Sequence, residues 1–232
     1  MQTTTSRSYH FPVLDLLSLS DVVKTVRKGD YLFYEGMDAE ELYVIRSGLI
    51  QISKITVDGK ELCLRVCQTN DLVGELSLFT NHSQYMLNAK ALMDSEVVVI
   101  SKTRLEEALY QNPTLNYEFM KWMSEQFRRT FTKFRDLLLY GKKGALYSTL
   151  IRLSNSYGIQ TDEGIFINLS LTNQQLANFC GSTRESINRM LSELRRKKII
   201  SFSDGKMVIH DIDYLKKEIN CENCPATICR IE

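Results

Sequence analysis

The C-terminal stretch NCENCPATICRIE contains the residues best suited to metal chemistry. Its cysteines, Cys221, Cys224 and Cys229, follow the spacing C-x2-C-x4-C. Thiolates bind zinc and the irons of iron–sulfur clusters, and both kinds of site normally take four protein ligands. The stretch therefore predicts a metal centre whose fourth ligand comes from another part of the chain.

The other three cysteines are predicted to be packing residues. Cys63 and Cys67 fall on a predicted strand, where residues four apart are separated by about 13 Å and cannot bind one ion together. Cys180 stands beside Gly181 in a predicted turn, where a small buried side chain is the simpler interpretation.

The composition is that of an ordinary globular protein, with 44% hydrophobic and 25% charged residues among 232. The first residues, MQTTTSRSYH, lack the pattern of a signal peptide, and no apolar run approaches membrane-spanning length. We therefore expect a cytoplasmic protein with no membrane partner. In that reducing compartment, cysteines are expected as ligands or core residues and not as disulfides.

The net charge of +1 conceals an asymmetry along the chain. Residues 1–100 carry 9 Lys and Arg against 13 Asp and Glu, whereas residues 101–232 carry 20 against 15. An anionic partner is therefore expected to bind the second part.

Residues 1–112 show the pattern of an antiparallel β domain, either a roll or a sandwich. Asp58-Gly59 is a two-residue hairpin signal, and alternating apolar residues lie on both sides of it. The predicted alternation places Leu62, Leu64 and Val66 on one face of a strand. Cys63, Arg65 and Cys67 are placed on the other face.

After Asn112-Pro113 the pattern becomes helical, and residues 113–141 predict one helix of roughly 25 residues. Its apolar stripe consists of Leu115, Phe119, Trp122, Met123, Phe127, Thr130, Phe131, Phe134, Leu137 and Leu138. The stripe could pack on the chain's own β domain. A dimerisation seam against a second copy is favoured, because a β domain of this size covers only part of it. Gly141 and Gly144 predict a hinge.

Residues 142–214 predict a helix-turn-helix with a wing, and residues 215–232 form a C-terminal cysteine segment. The pattern gives a short helix over 173–179, a turn at Gly181, a second helix over 183–197 and a hairpin around Asp204-Gly205. Ser182 or Thr183 is expected to cap the second helix. Its buried face would consist of Ile187, Met190, Leu191 and Leu194.

The opposite face of the second helix carries Arg184, Glu185, Asn188 and Arg189. Arginine reads guanine and glutamate reads cytosine in the major groove, so this face predicts base contacts in a half-site that contains G and C. The residues expected at phosphates are Arg195, Arg196, Lys197, Lys198 and Lys206. A solvated charged face is the alternative. The turn, the cap and the hairpin occur together, which favours DNA.

Three segments resemble the CRP/FNR transcription regulators: VGELSLF, the long helix and STRESINRML. The resemblance implies an α+β chain with an N-terminal antiparallel β-roll like the cyclic-nucleotide-binding domain, a long dimerisation helix and a C-terminal winged helix-turn-helix. It implies a homodimer that binds double-stranded DNA and RNA polymerase and is not an enzyme. Arg184, Glu185 and Arg189 match positions that contact a palindromic TGTGA-type operator. Asn188 replaces the serine of the enterobacterial FNR motif, which favours that operator.

The resemblance also indicates which effector ligands this protein is expected to bind. Cyclic-nucleotide-binding members carry an arginine soon after the G-E-L stretch, and none occurs here between Gly74 and Lys90, so no cyclic nucleotide is expected. Haem-binding members use a histidine, and His82 is the only candidate in the β domain; a lone loop histidine is usually solvated. His10, His82 and His210 are too far apart in sequence to suggest a metalloenzyme centre.

The C-terminal cysteines match those of the Bacillus-type FNR proteins. That similarity implies a [4Fe-4S] cluster, oxygen-sensitive DNA binding and activation of genes for anaerobic metabolism. It also implies an aspartate as the fourth ligand, and the matching residue is Asp136, although an aspartate beside Lys133 and Arg135 is more commonly a solvated one. Three cysteines with one further group could instead hold structural zinc, without an oxygen response.

Overall fold

The computed structural model describes residues 16–17, 19–20, 22–81, 84–203 and 205–231. The chain divides into two compact units, residues 1–125 and residues 126–231. Within the described residues, no helix is both long enough and apolar enough to cross a membrane.

The first unit is built from two four-stranded antiparallel sheets, with strand orders β1-β8-β3-β6 and β2-β7-β4-β5. The strands are β1 (Val23–Val26), β2 (Tyr31–Phe33), β3 (Glu41–Ser47), β4 (Ile50–Ile55), β5 (Glu61–Cys67), β6 (Leu72–Val73), β7 (Asn88–Ala91) and β8 (Ser95–Ser101). A 3-10 turn covers Glu75–Ser77, and helix α1 (Lys102–Gln111) follows β8. The predicted β-roll is confirmed.

The sheet that contains β3 and β8 is buried on both faces. One face contributes Tyr43, Ile45 and Val97 to a core shared with residues of the other sheet. The other face contributes Leu42 and Ile100 to a second core, which it shares with α1 and the start of the next helix. This double burial explains why β3 and β8 read as nearly continuous apolar runs and do not alternate.

The predicted alternation along β5 is wrong because the strand contains a bulge. The register shifts so that Ile52 pairs with Arg65 and Ser53 with Cys63, and Leu64 lies at the shift. A bulge inserts one residue and reverses the faces that follow it. Cys63, Val66 and Cys67 are therefore buried, whereas Leu62 and Leu64 are only partly buried. Both cysteines are packing residues, as predicted.

Helix α2 runs from Pro113 to Tyr157 and is interrupted at Gly141, where φ is 59° and ψ is −156°. The side chain of Asn112 caps its start by accepting from the amides of Thr114 and Leu115, each at 3.1 Å. Left-handed φ values suit glycine, so the predicted break at Gly141 is confirmed. Gly144 lies within helix, and the second half of α2, residues 142–157, was not predicted.

The predicted apolar stripe of α2 is in fact two stripes. Leu115, Phe119 and Trp122 are buried in the core of the first unit. A second set of residues repeats at intervals of three and four, which is the a/d pattern of a coiled coil. This exposed seam consists of Tyr117, Met120, Ser124, Phe127, Phe131, Phe134 and Leu138. The residues that pack on the β domain are thus different from those of the exposed seam, where contact with a second copy stays a prediction.

The second unit contains α2 from residue 126 onward and a compact arrangement of short elements. These are β9 (Gly158–Thr161), β10 (Gly164–Ile167), α3 (Asn173–Phe179), α4 (Arg184–Arg196), β11 (Ile200–Ser203), β12 (Lys206–Ile209) and α5 (Ile212–Glu218). The predicted hairpin, β11 and β12, belongs to a four-stranded sheet of order β11-β12-β10-β9. Asp204, which belongs to the predicted hairpin signal Asp204-Gly205, lies outside the described residues. Strands β9 and β10 and helix α5 were not predicted.

Candidate metal centre and nucleic-acid interface

The helix-turn-helix is closed by local hydrogen bonds. Thr172 and Gln175 form a reciprocal capping box at the start of α3. Gly181 adopts a left-handed φ of 54° after α3, and the Ser182 amide donates to the carbonyl of Ala177 at 3.0 Å. Thr183, and not Ser182, caps α4 by accepting from the Ser186 amide at 3.3 Å.

Helix α4 buries one face and exposes the other, as predicted. Ile187, Leu191 and Leu194 are at most 3% exposed, while Met190 is only partly buried. The candidate base-reading residues Arg184, Glu185, Asn188 and Arg189 are all exposed. The side chain of Asn188 accepts a hydrogen bond from that of Asn173 on α3. The exposed face therefore presents charged and amide groups in the arrangement that the sequence predicted.

The candidate phosphate-binding residues differ in how far their charges are already engaged. Lys197 donates to Tyr214 Oη at 2.8 Å and pairs with Glu193 at 3.1 Å, and these hydrogen bonds raise its pKa. Lys206 donates to the side chain of Asn168 at 2.8 Å. Lys198 is exposed. The remaining candidates, Arg195 and Arg196, are exposed in the last turn of α4.

Lys198 also terminates α4 in a strained conformation. Its φ is 59°, in the left-handed region that side chains with a Cβ rarely adopt. The amides of Lys198 and Ile199 donate to the carbonyls of Arg195 and Leu194, at 2.9 and 3.0 Å. This is a Schellman ending, in which glycine is the usual residue at the left-handed position.

The tail, residues 219–231, follows α5 and carries the three candidate metal ligands. Cys221, Cys224 and Cys229 are all partly buried free thiols. The Cys221 amide donates to the carbonyl of Lys216 in α5, and the Cys229 amide to that of Pro225, each at 2.9 Å. The cysteines are thus displayed on a short, internally hydrogen-bonded segment.

Side chains from α2 hold the backbone of the tail directly. Four hydrogen bonds join α2 to the backbone of the tail, and each uses a different residue of α2. They join Arg129 Nε to the Thr227 carbonyl at 2.9 Å, Arg152 Nη1 to the Ile228 carbonyl at 3.2 Å, Asn155 Nδ2 to the Cys229 carbonyl at 2.8 Å and the Ile231 amide to Ser156 Oγ at 3.0 Å. Buried side chains of Ile228 and Ile231 add apolar anchoring.

Asp136 is buried, with only 4% of its surface exposed, so the interpretation of a solvated aspartate is wrong. One carboxylate oxygen accepts from Arg135 Nε at 3.0 Å and Nη2 at 2.7 Å. The other accepts from Ser148 Oγ at 2.6 Å and Arg152 Nη2 at 3.4 Å. A buried carboxylate is costly unless it is paired and hydrogen-bonded, and these donors meet that requirement.

Cys229 lies within electrostatic range of Cys221, Cys224 and Asp136. Burial raises the pKa of the Cys229 thiol; the Arg152 guanidinium opposes this shift, and Cys221, Cys224 and Asp136 add to it. In the part of the chain that is described, however, no three His, Cys, Asp or Glu side chains converge on a position for a single metal ion.

Other predicted candidates are located elsewhere or lie outside the described residues. Cys180 is fully buried, its Sγ is 3.7 Å from Thr149 Oγ1, and burial raises its pKa to about 11. His210 has its ring nitrogens at the Glu163 carbonyl and Ser201 Oγ, at 2.6 and 2.8 Å. His10 and His82 lie outside the described residues.

Sequence reasoning missed several residues of α2 that contact the tail or Asp136. Arg129, Ser148, Arg152 and Asn155 carry no motif. One signal was available: Ser148 and Arg152 are spaced by four residues within the apolar run ALYSTLIRL, where polar side chains on a buried helix face require partners.

In the first unit, Arg65 from β5 occupies the region beside the G-E-L stretch. Its guanidinium donates to the Glu75 carboxylate at 2.9 Å and to the Leu72 carbonyl at 3.0 Å. The adjoining cavity, lined by Arg65, Glu75, Ser77 and Tyr85 among others, has a volume of about 30 Å³. This is room for about two water molecules. The sequence did not indicate this ion pair.

Comparison with known proteins agrees with this architecture. Residues 23–112 match the cyclic nucleotide-binding domain family, and residues 144–218 match the Crp-like helix-turn-helix domain family. The anaerobic regulatory protein of Bacillus subtilis is 60% identical over 222 residues, which are 94% of this chain and 93% of that protein. The chain belongs to the CRP/FNR family. The resemblance stated from the sequence motifs is therefore confirmed.

More distant members of the CRP/FNR family show how widely the architecture is shared. The global nitrogen regulator of a Nostoc species is 30% identical over 190 residues, 82% of this chain and 85% of that protein. Among solved structures, the c-di-GMP responsive regulator CLP of Xanthomonas campestris is similar in fold, with a TM-score of 0.75 at 23% identity. That similarity covers 86% of this chain and 98% of the other.

As a CRP/FNR protein, the chain is a DNA-binding transcription regulator and not an enzyme. The predicted absence of enzymatic function is confirmed by the family. Regulators of this family act as dimers on DNA, which agrees with the exposed seam on α2 and the exposed face of α4.

Proposed function

We propose that this regulator binds a [4Fe-4S] cluster through Cys221, Cys224, Cys229 and Asp136, and that it binds its operator only while the cluster is intact. The proposal rests chiefly on Asp136: a carboxylate that is 4% exposed and whose partner Arg152 also donates to the tail carbonyl of Ile228, next to Cys229. A CRP/FNR relative that is named an anaerobic regulatory protein supports the same role.

The donor set suits a four-iron cluster. In such a cluster each ligand binds a different iron, so the four donors need not converge on one point. A structural zinc ion requires all its ligands within about 2.3 Å of itself, and the described residues show no such convergence. When bound, the cluster would supply an oxygen-labile link between the tail and α2.

The chain's own residues explain how that link controls DNA binding. Asp136 lies in the half of α2 that carries Phe127, Phe131 and Phe134 of the exposed seam, while the tail directly follows α5 of the DNA-binding unit. A tail fixed to Asp136 orients α4 relative to the seam. Two α4 helices in a homodimer must lie about 34 Å apart to reach successive major grooves, so this orientation determines operator affinity.

The β-roll supports a regulator that is not controlled by a cyclic nucleotide. Arg65 already pairs with Glu75, and the cavity beside this pair has a volume of about 30 Å³. The effector site would then lie in the second unit. Activation of anaerobic genes through RNA polymerase and recognition of a palindromic TGTGA-type operator belong to the same proposal.

Metal analysis tests the proposal directly. Protein purified without oxygen is expected to be brown, to contain about four irons and four acid-labile sulfides per chain, and to bind a TGTGA palindrome. Exposure to air should bleach the colour and abolish specific binding. The measurements are iron, sulfide and zinc content with operator binding by fluorescence anisotropy, before and after air.

The alternative of a structural zinc predicts the opposite results. Colourless protein with one tightly held zinc per chain, and with operator affinity unchanged by air, would refute the cluster proposal. Aerobic protein reconstituted with iron and sulfide serves as the control, because it should regain both colour and binding.

Two substitutions, one on α4 and one just after it, should separate base reading from phosphate contact. Arg189→Ala is expected to cost about 1–3 kcal/mol of binding and to relax preference at one base pair per half-site. Lys198→Gly should weaken binding to all sequences alike. The same glycine should raise the free energy of unfolding by about 1 kcal/mol, because it relieves the left-handed strain.

Binding is measured against a set of single-base operator variants, and stability by urea unfolding. If the Lys198→Gly protein is more stable than the parent but binds DNA more weakly, the weaker binding reflects a lost phosphate contact and not partial unfolding. Uniform weakening by Arg189→Ala across all operator variants would contradict its role in base reading.

A further inference from the structure

Arg152 is a fully buried guanidinium that neither DNA contact nor metal ligation explains. Only 2% of its surface is exposed. A buried charge is expensive to desolvate, and it is tolerated only where partners hold it in place. Because it is buried, it has no access to DNA.

The partners of Arg152 come from three separate segments of the second unit. Its Nη2 donates to Asp136 Oδ2 at 3.4 Å and to Thr132 Oγ1 at 3.0 Å, both in the first half of α2. Its Nε donates to Ser148 Oγ at 3.2 Å in the second half. Its Nη1 donates to the Ile228 carbonyl at 3.2 Å in the tail. A planar fork of five donors suits such divergent contacts, and a lysine ammonium does not.

Arg135, the other guanidinium at Asp136, is placed differently. Its side chain is 20% exposed, and it pairs outward with Glu222, which is 66% exposed. Water can replace those contacts at little cost. Arg152 is therefore the cation that links the carboxylate to the tail inside the protein.

We propose that Arg152 is the positioning residue of the metal centre: it holds the carboxylate of Asp136 and the tail carbonyl next to Cys229 at a fixed separation. This inference rests on the proposed function. The guanidinium also offers a positive charge to a site whose ligands are three thiolates and a carboxylate. Groups that hydrogen-bond to metal ligands orient those ligands and tune their affinity for the metal.

The first test uses metal-free protein kept under reducing, oxygen-free conditions. Alkylation of each cysteine by iodoacetamide is followed by mass spectrometry. Arg152→Met removes the fork, so Cys229 is expected to react about 10-fold faster as the tail detaches more often. Ser148→Ala, which removes one small hydroxyl and is less disruptive, should give a smaller increase. Lys143→Met is the matched control: it removes a cation that pairs with Glu218 and lies over the Tyr147 ring, without contact to Asp136 or the tail cysteines among the hydrogen bonds and ion pairs of the described residues.

The second test uses protein loaded with iron and sulfide without oxygen. The rate of iron transfer to a chelator is expected to rise roughly 10–100-fold in Arg152→Met. Adding Arg152→Met to Asp136→Ala should have little further effect, because Arg152 acts largely through the carboxylate. The Mössbauer signal of the oxygen-ligated iron in Arg152→Met should approach that of Asp136→Ala, which a merely structural role would not produce.

The outcomes separate the two proposals. Parent protein that assembles no iron–sulfur cluster would overturn the proposed function, and with it the metal-centre role of Arg152. Parent protein that loads iron normally, with Arg152→Met and Ser148→Ala matching it in alkylation and iron retention, would overturn the role of Arg152 alone. If Arg152→Met does not fold, Ser148→Ala decides by the same measurements.

Discussion

Asp136→Ala is expected to destabilise the metal-free second unit by about 3 kcal/mol and to abolish cluster-dependent operator binding. The substitution leaves Arg152 buried without its carboxylate partner, and breaking one side of a buried ion pair typically costs about 3–5 kcal/mol. Arg152 keeps its contacts with Thr132, Ser148 and the Ile228 carbonyl. We therefore expect the loss of stability to lie at the lower end of this range. Tail cysteines alone should still retain some iron.

Urea unfolding followed by circular dichroism measures the stability change. Fluorescence of Trp122, the only tryptophan, follows the first unit and should show an unchanged transition. Asp136→Asn is the matched control for shape: it keeps one acceptor oxygen and should recover part of the stability but little of the oxygen-responsive binding. A loss below about 1 kcal/mol for Asp136→Ala would contradict the buried pairing.

Asp136→Cys extends this prediction to the metal centre. It replaces an oxygen ligand with a thiolate, which binds iron more strongly, so the brown colour should survive longer in air while operator binding persists. The half-life of the visible absorption band in air is the measurement. Iron content, air sensitivity and operator affinity equal to the parent in Asp136→Ala would show that the carboxylate is not a ligand.

Phe131→Asp is expected to convert the protein to monomers and to lower affinity for a full palindrome by at least about 100-fold. Phe131 is 60% exposed at the centre of the exposed seam, beside Phe127 with ring centroids 6.4 Å apart. A charge at an a/d position opposes burial against a second helix. Loss of the dimer removes the gain of about 10²–10⁴ that comes from binding two half-sites at once.

Sedimentation velocity gives the oligomeric state, and anisotropy gives affinity for full and half operators. Phe131→Leu, which keeps an apolar side chain at the same position, should remain dimeric and bind normally. The parent, Phe131→Asp and Phe131→Leu proteins should all bind a half operator with the same affinity. A dimeric Phe131→Asp protein with normal binding would show that the exposed seam is not the dimer interface.

Features that depend on neighbouring residues were predictable from the sequence. A cap of α4 at Ser182 or Thr183, the turn at Gly181 and the break at Gly141 each follow from one residue type at one local conformation, and the structure assigns the cap to Thr183. Helical periodicity predicts the buried face of α4, and the residues outside that apolar pattern form its exposed face. For the same reason, the C-x2-C-x4-C spacing predicts a metal centre without knowledge of the fold.

Features that depend on pairing between segments were not predictable in the same way. The bulge at Leu64 exists because β5 must match β4, and it reverses the faces that alternation had assigned. The apolar stripe of α2 divides into two because Leu115, Phe119 and Trp122 have a β-roll core to enter and Phe127 and Phe131 do not. Periodicity gives the spacing of apolar residues and does not say which surface will cover them.

The sequence by itself determined the helix-turn-helix, the exposed face of α4 and the three thiols of the tail. Only the tertiary structure decided that Asp136 is buried and that Arg152 and Ser148 surround it. It also brought α2 to the tail, across 76 residues for Arg152 and Ile228 and 98 for Arg129 and Thr227. A buried carboxylate needs partners because folding removes its water, and no local pattern shows which distant donors will replace that water.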